Sequence, residues 1–319
     1  MALNNIGNTC FINSVLQCLM NINALNELTI EDSEINESIL TKEYFALREL
    51  MTHKEYVIKP TRFVEFIYRL TEIKKLDIKR FQQNDVTEFL TFLIDCFHLA
   101  TAKEINITVH GTPVTRDDHL LVSCLTLYKN YAKSFSPVLE IFYGVYVSTL
   151  YSMNNEIIKQ IPEMHFIIDL PIPDKKDISI YDCLDEFIKE ELLVDENGWY
   201  NEDKKQKEDV KKNIKFCILP EILIFSFKRL NQINLKKNVM INVPFEIDMR
   251  NYCELNPKVS TYELKSICNH GGNAYGGHYN AYVKYDEWKC FDDEQSYSIP
   301  TDKVINPNIY CLMFHMKKI

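Results

Sequence analysis

The chain has 319 residues, 46% hydrophobic and 25% charged, with a formal net charge of −9. That composition excludes a disordered or fibrous protein, and the acidic surplus argues against nucleic acid as a partner, since phosphate neutralisation needs a basic face. No basic segment leads into an apolar core at the N-terminus, and the longest apolar run, residues 216–227, is broken by Pro220 and Glu221 and is too short to cross a bilayer. A soluble protein with no membrane association is expected. Ten cysteines without a Cys-x-x-Cys pair read as free thiols in a reducing compartment, the cytoplasm or nucleus.

The first third reads as helical. Phe11, Val15, Leu16, Leu19 and Met20 recur at helical spacing behind the polar entry Gly7, Asn8, Thr9. Val86, Phe89, Leu90, Leu93, Ile94 and Phe97 form a second stripe, with Asp85 placed to cap it. A third helix is expected near 120–131. From Leu139 the pattern turns to strands at 141–150 and 156–170. A helix near 181–193 follows, then strands at 214–217, 222–230, 262–268, 278–285, 289–292 and 309–314. Helices first and antiparallel strands later predict an α+β fold. The mixed charges of 202–212 read as a solvated loop or hairpin tip.

Glycine is scarce, eight residues in all, yet Gly271, Gly272, Gly276 and Gly277 crowd the stretch that leads into His278. Such clustering marks backbone that must bend freely or be approached closely. Cys10 stands where a loop turns into a helix, and a helix N-terminus favours thiolate over thiol. The same N–H groups can donate to an oxyanion, and Asn5 offers a side-chain amide as a second donor. His278 and Asp292 are fourteen residues apart. A three-residue turn at 285–287 would set Asn280 opposite Asp292 and His278 diagonal to it on the same face, within reach for an orienting hydrogen bond. A two-residue turn would put them on opposite faces. Asp293 is the alternative orienter, and pleat alternation would aim it away from His278. The order Cys, His, Asp is that of a nucleophile, a base and its orienter, as in papain-type peptidases.

These segments resemble the ubiquitin-specific protease family of papain-like cysteine peptidases. Asn5-Ile-Gly-Asn-Thr-Cys10-Phe-Ile-Asn-Ser14 is similar to its cysteine box, and Gly276-Gly-His278-Tyr-Asn-Ala-Tyr-Val283 with Trp288 and Phe291-Asp292-Asp293 to its histidine box. Gln83-Asn-Asp85-Val-Thr-Glu88-Phe-Leu90 resembles its Gln-Asp-Glu-Phe helix start, Leu219-Pro-Glu-Ile-Leu-Ile-Phe-Ser-Phe-Lys-Arg229 its Leu-Pro strand, and Tyr310-Cys-Leu-Met-Phe314 its closing strand. The match is collinear from residue 3 to residue 315.

The resemblance implies one catalytic domain over 1–319. A mainly helical thumb would cover 1–138, and an antiparallel palm with β-ribbon fingers 139–319, the fingers near 145–165 and 195–215. It implies hydrolysis of the bond after ubiquitin's C-terminal glycine, with ubiquitin or ubiquitinated proteins as partners, no cofactor, and room for regulatory proteins of unknown identity. Cys10, His278, Asp292 and Asn5 would carry the chemistry. Asp85 and Glu88 would meet ubiquitin's basic tail, Gln83 and Tyr279 would hold its backbone, and Gly276 and Gly277 would line a narrow cleft. Two departures stand out. The positions where many members carry the cysteines of a zinc ribbon hold Ser152, Asn155, Asn201 and Lys204, so no metal is expected, and Leu230 replaces a usual aromatic near the tail channel. A silent ubiquitin-binding adaptor, or the same chemistry on another ubiquitin-like modifier, are the competing readings.

Overall fold

Apolar residues returning every third or fourth position bury α1 (Cys10–Met20) on all sides from Cys10 to Leu19. The computed structural model describes residues 1–30, 35–53, 57–229, 237–273 and 276–317; Leu230 lies outside them. Around α1 pack α2 (Asn36–His53), α3 (Thr61–Ile73) and α4 (Val86–Thr101), with Phe11 and Phe89 edge to face at 5.3 Å. Next come α5 (Arg116–Lys129), whose Thr115 and Asp118 form a capping box, and the short α6 (Pro137–Phe142). The strand expected at 141–150 therefore starts later, as Gly144–Ser152. Pro137 in the first turn favours a helix over Val138–Phe142, and the apolar run alone did not distinguish the two.

Among the described residues the largest sheet has eight strands, in the order Gln295–Ser298, Trp288–Asp292, Gly276–Lys284, Thr261–Asn273, Ile309–Met316, Ile222–Phe227 and Ile167–Leu170, with Glu246–Asp248 paired to Thr261–Asn273. Alternation splits its side chains between two cores. Cys268, Tyr279, Ala281, Val283, Cys311 and Met313 face the helices around α1. Ile267, Leu312, Phe314 and Phe225 face α7 (Ile180–Ile188) on the other side. The sheet is a partition carrying one core on each face.

A second, four-stranded sheet runs Ile157–His165, Gly144–Ser152, Val210–Ile218, Glu191–Leu193, and α5 covers its root. The expected strand 156–170 is thus two strands that part at Phe166 and join different sheets. The expected helix 181–193 ends at Ile188, because Glu191–Leu193 takes up the free edge of Val210–Ile218. Of the segment 202–212, Gln206–Glu208 pairs with Trp199–Asn201 in a small hairpin, and 210–212 begin the strand Val210–Ile218.

Candidate active site

Asn5 builds the loop ahead of Cys10. Its side-chain oxygen accepts from the backbone N–H groups of Gly7 and Thr9, at 3.1 Å each, and Thr9 Oγ1 accepts from Ile6 N–H at 3.0 Å. Gly7 has φ +118°, and a Cβ there would lie 2.6 Å from the Phe81 ring, so the loop closes on that ring only with glycine. Asn8 Nδ2 donates to Phe81 O at 2.8 Å. Upstream, Leu3 bridges to Ile58, Leu3 N–H donates to the Asp293 carbonyl at 3.0 Å, and Gln17 Nε2 donates to Met1 O at 2.6 Å.

Cys10 is 4% exposed. Burial raises its thiol above the ordinary value of 9.0; N–H groups of Tyr279, Phe11 and Cys10 itself oppose this, and the Asp293 charge reinforces it. The helix end favours the thiolate, as expected, but burial outweighs its N–H groups, so the proton needs a base to take it.

The hairpin closes on a three-residue turn, Tyr285, Asp286 and Glu287, with Ala281 opposite Phe291 and Lys284 opposite Trp288. His278 and Asp292 therefore share a face, and His278 Nε2 lies 2.5 Å from Asp292 Oδ1. This leaves Nδ1 as the ring nitrogen for a reaction partner. Tyr279, whose N–H supports Cys10, is the next residue along.

Asp293 departs from the pleat argument. It follows the last strand residue and has φ 51°, so alternation no longer governs it, and Oδ2 comes to 3.9 Å from His278 Nε2. Its carboxylate accepts from Asn5 Nδ2 and Asn13 Nδ2, at 2.8 Å each. The Asn5 amide is thus turned to Asp293, leaving its second N–H for an oxyanion. Asn13 and Glu294, which accepts from Asn5 N–H at 2.9 Å, were not singled out in the sequence. For Asn13 the signal was a buried polar side chain one turn after Cys10 in an apolar helix.

Asp85 caps α4, accepting from Thr87 N–H at 2.7 Å and Glu88 N–H at 3.2 Å, while its other oxygen takes the Tyr310 hydroxyl at 2.5 Å. Glu88 is the open carboxylate. It lines a groove of about 470 Å³ with Thr87, Thr91, Tyr146, His165 and Asp169, and burial followed by the Asp85 charge raises its pKa. Gln83 exchanges two hydrogen bonds with the Gly277 backbone, 2.5 Å each, strapping the start of α4 to the large sheet. A Cβ on Gly277 would lie 2.3 Å from Gly271 O, so the glycine there answers to its own neighbouring strand. Gly276 sits beside Gln83 Oε1. The Tyr279 ring is 7% exposed and packs on His270, centroids 4.5 Å apart, as a core residue.

Ser152, Asn155, Asn201 and Lys204 do not fit zinc. Ser152 Oγ accepts from Glu156 N–H, Asn155 Oδ1 from Lys211 Nζ, and Asn201 and Lys204 both donate to Glu208. Hydrogen bonds organise these turns. Among the described residues the one cluster of metal-ligating type is His278, Asp292 and Asp293 itself.

A family model described as ubiquitin carboxyl-terminal hydrolase matches residues 1–314. Ubiquitin carboxyl-terminal hydrolase 4 of Vanderwaltozyma polyspora is 26% identical over 364 residues, covering 99% of this chain and 41% of the relative. Ubiquitin carboxyl-terminal hydrolase 2 of Homo sapiens is 26% identical over 339 residues, covering 98% of this chain and 54% of the relative. The chain thus spans about half, or less, of the curated relatives' length. The solved SAGA Ubp8/Sgf11/Sus1/Sgf73 DUB module bound to ubiquitin aldehyde aligns with a TM-score of 0.74 at 22% identity, over 100% of this chain and 70% of that one. At that identity the likeness shows the fold: α+β, of the same type.

Proposed function

Because the chain belongs to the ubiquitin carboxyl-terminal hydrolase family, we propose that it is a thiol-dependent deubiquitinase, hydrolysing the peptide or isopeptide bond after the C-terminal glycine of ubiquitin. The observation that carries this reading is the pairing of His278 Nε2 with Asp292 Oδ1 at 2.5 Å, on the strand whose next N–H supports the Cys10 sulfur. In this reading the helical part is the thumb, the eight-stranded sheet the palm and the four-stranded sheet the fingers.

His278 takes the Cys10 proton through Nδ1 while Asp292 fixes the ring and stabilises the imidazolium. The thiolate attacks the glycine carbonyl, and the oxyanion receives the Cys10 N–H and the second Asn5 N–H. The imidazolium then protonates the departing lysine amine. His278 next deprotonates a water, whose attack releases the carboxylate and restores the thiol. Glu88, on the open groove, supplies the charge for a basic tail; Asp85 supports it as the cap of its helix. The Gln83 strap must yield or be passed alongside by an extended tail. In the described residues no helix is long and apolar enough to cross a membrane, and we place the enzyme in a reducing compartment, cytoplasm or nucleus, where Cys10 stays a thiol.

The test is incubation of the reduced protein with ubiquitin bearing a C-terminal electrophile. A covalent adduct mapped to Cys10, absent from Cys10→Ala, supports the reading; folded protein that forms no adduct overturns it. Tight ubiquitin binding without turnover would point to the adaptor, and preferential labelling by another modifier's probe would move the substrate class.

A further inference from the structure

Two pairs of buried thiols meet among the described residues. Cys18 and Cys268 lie 3.5 Å apart, sulfur to sulfur, while Cys124 and Cys217 lie 2.9 Å apart. We propose that Cys124 and Cys217 are a redox pair that closes to a reversible disulfide under hydroperoxide, stapling α5 to the root of the four-stranded sheet. This goes beyond the hydrolase reading and does not depend on it.

The geometry separates this pair from the other. A sulfur–sulfur distance of 3.5 Å is ordinary contact, whereas 2.9 Å is already inside it, and only about 0.9 Å of approach remains to a bond of roughly 2.05 Å. Cys18 and Cys268 sit in the deep core around α1, whereas Cys217 is 8% exposed at the edge of a small satellite core with Leu120, Val145 and Val147. A small oxidant has a shorter path there. The Cys124 S–H donates to the Cys217 sulfur, and that hydrogen bond favours the Cys217 thiolate over its thiol. Cys253 also lies near, but its S–H donates to the Met249 carbonyl at 3.3 Å.

The chemistry balances with hydroperoxide as the two-electron oxidant. The Cys217 thiolate attacks one peroxide oxygen, forming Cys217 sulfenic acid and releasing hydroxide. The Cys124 thiol then attacks the sulfenic sulfur; the S–O bond breaks, the S–S bond forms, and the thiol proton leaves with the hydroxyl group as water. Ninety-three positions separate the two residues, so the closed loop is long. A constraint of that size on the unfolded chain raises the melting temperature by roughly 5 °C.

The experiment uses the full chain carrying Cys10→Ala, so that oxidation of that thiol does not enter. The protein is treated with hydrogen peroxide, free thiols are blocked with N-ethylmaleimide, and tryptic peptides are mapped. Residues 117–129 and 216–228 each hold one cysteine and fall in separate peptides. The expected result is a cross-linked pair of these peptides, two hydrogens lighter than their sum, reversed by dithiothreitol and accompanied by the rise in melting temperature. Cys124→Ser should lose both the cross-link and the rise. The peptide map of the chain with native Cys124 and Cys217 decides even where that variant fails to fold. Both peptides carrying maleimide after peroxide, Cys217 linked to Cys253, or a cross-link only in denaturant would overturn the proposal. So would a cross-link that leaves the melting temperature unchanged.

Discussion

Asp293 does more at the site than its place one residue past the strand Trp288–Asp292 suggests. It gathers Asn5 and Asn13, stands 3.9 Å from the His278 ring, and its charge adds to burial in holding the Cys10 thiol above 9.0. The sign follows directly: a nearby anion disfavours the thiolate, so removing it lowers the thiol pKa. Asp293→Asn should therefore shift the pH profile of Cys10 alkylation by iodoacetamide toward lower pH, while Asp292→Asn, which acts on the ring, should cut turnover of a ubiquitin substrate. An unchanged alkylation profile in Asp293→Asn would show that burial alone sets the thiol. The pairing of His278 with Asp292 was legible because strand parity is arithmetic once the turn is three residues. The position of Asp293 was not, since a single left-handed residue ends the parity and the sequence does not mark it.

At the level of elements, α4 shows one carboxylate with a structural duty and a neighbour left open on a groove. Asp85 caps the helix and holds Tyr310. Asp85→Ala should lower unfolding stability by about 2 kcal/mol, a lost cap plus the half-buried Tyr310 hydroxyl left without its partner, measured by urea melts. Glu88→Ala should leave the melt nearly unchanged and raise the KM for ubiquitin substrates, with less dependence on salt. The reverse pattern would return the tail contact to Asp85. Helices with a long apolar stripe, α1 and α4, were readable from spacing. The α6 segment was too short for its period to show, and no glycine, proline or turn residue marks the break at His165–Phe166–Ile167, where only the choice of partner sheet separates two strands.

Across the whole molecule, the site hangs between a helical core and a partition sheet, and His165 marks a third junction where the two sheets part. Its ring stacks on Tyr146 at 5.7 Å and meets Phe216 edge-on, with both nitrogens unpartnered among the described residues. Burial lowers its pKa from 6.5 to about 3. Below pH 6.5 the unfolded chain binds a proton there that the folded chain refuses, so stability falls as pH drops from 6.5 toward 3. At pH 5 this residue accounts for about 2 kcal/mol of that loss. His165→Phe should flatten the fall in urea midpoint between pH 7 and pH 5; an equally steep fall would assign it to other groups. The threading of Leu3 between Ile58 and Asp293 reaches further still. The segment ahead of Cys10 works as a guy-rope between α1, Ile58 and the Asp293 turn, so cutting the backbone between Asn4 and Asn5 would slacken Asp293, Asn5 and the loop before Cys10 together. Such a cut would abolish the proposed hydrolysis with Asn5, Cys10, His278 and Asp292 all still in place.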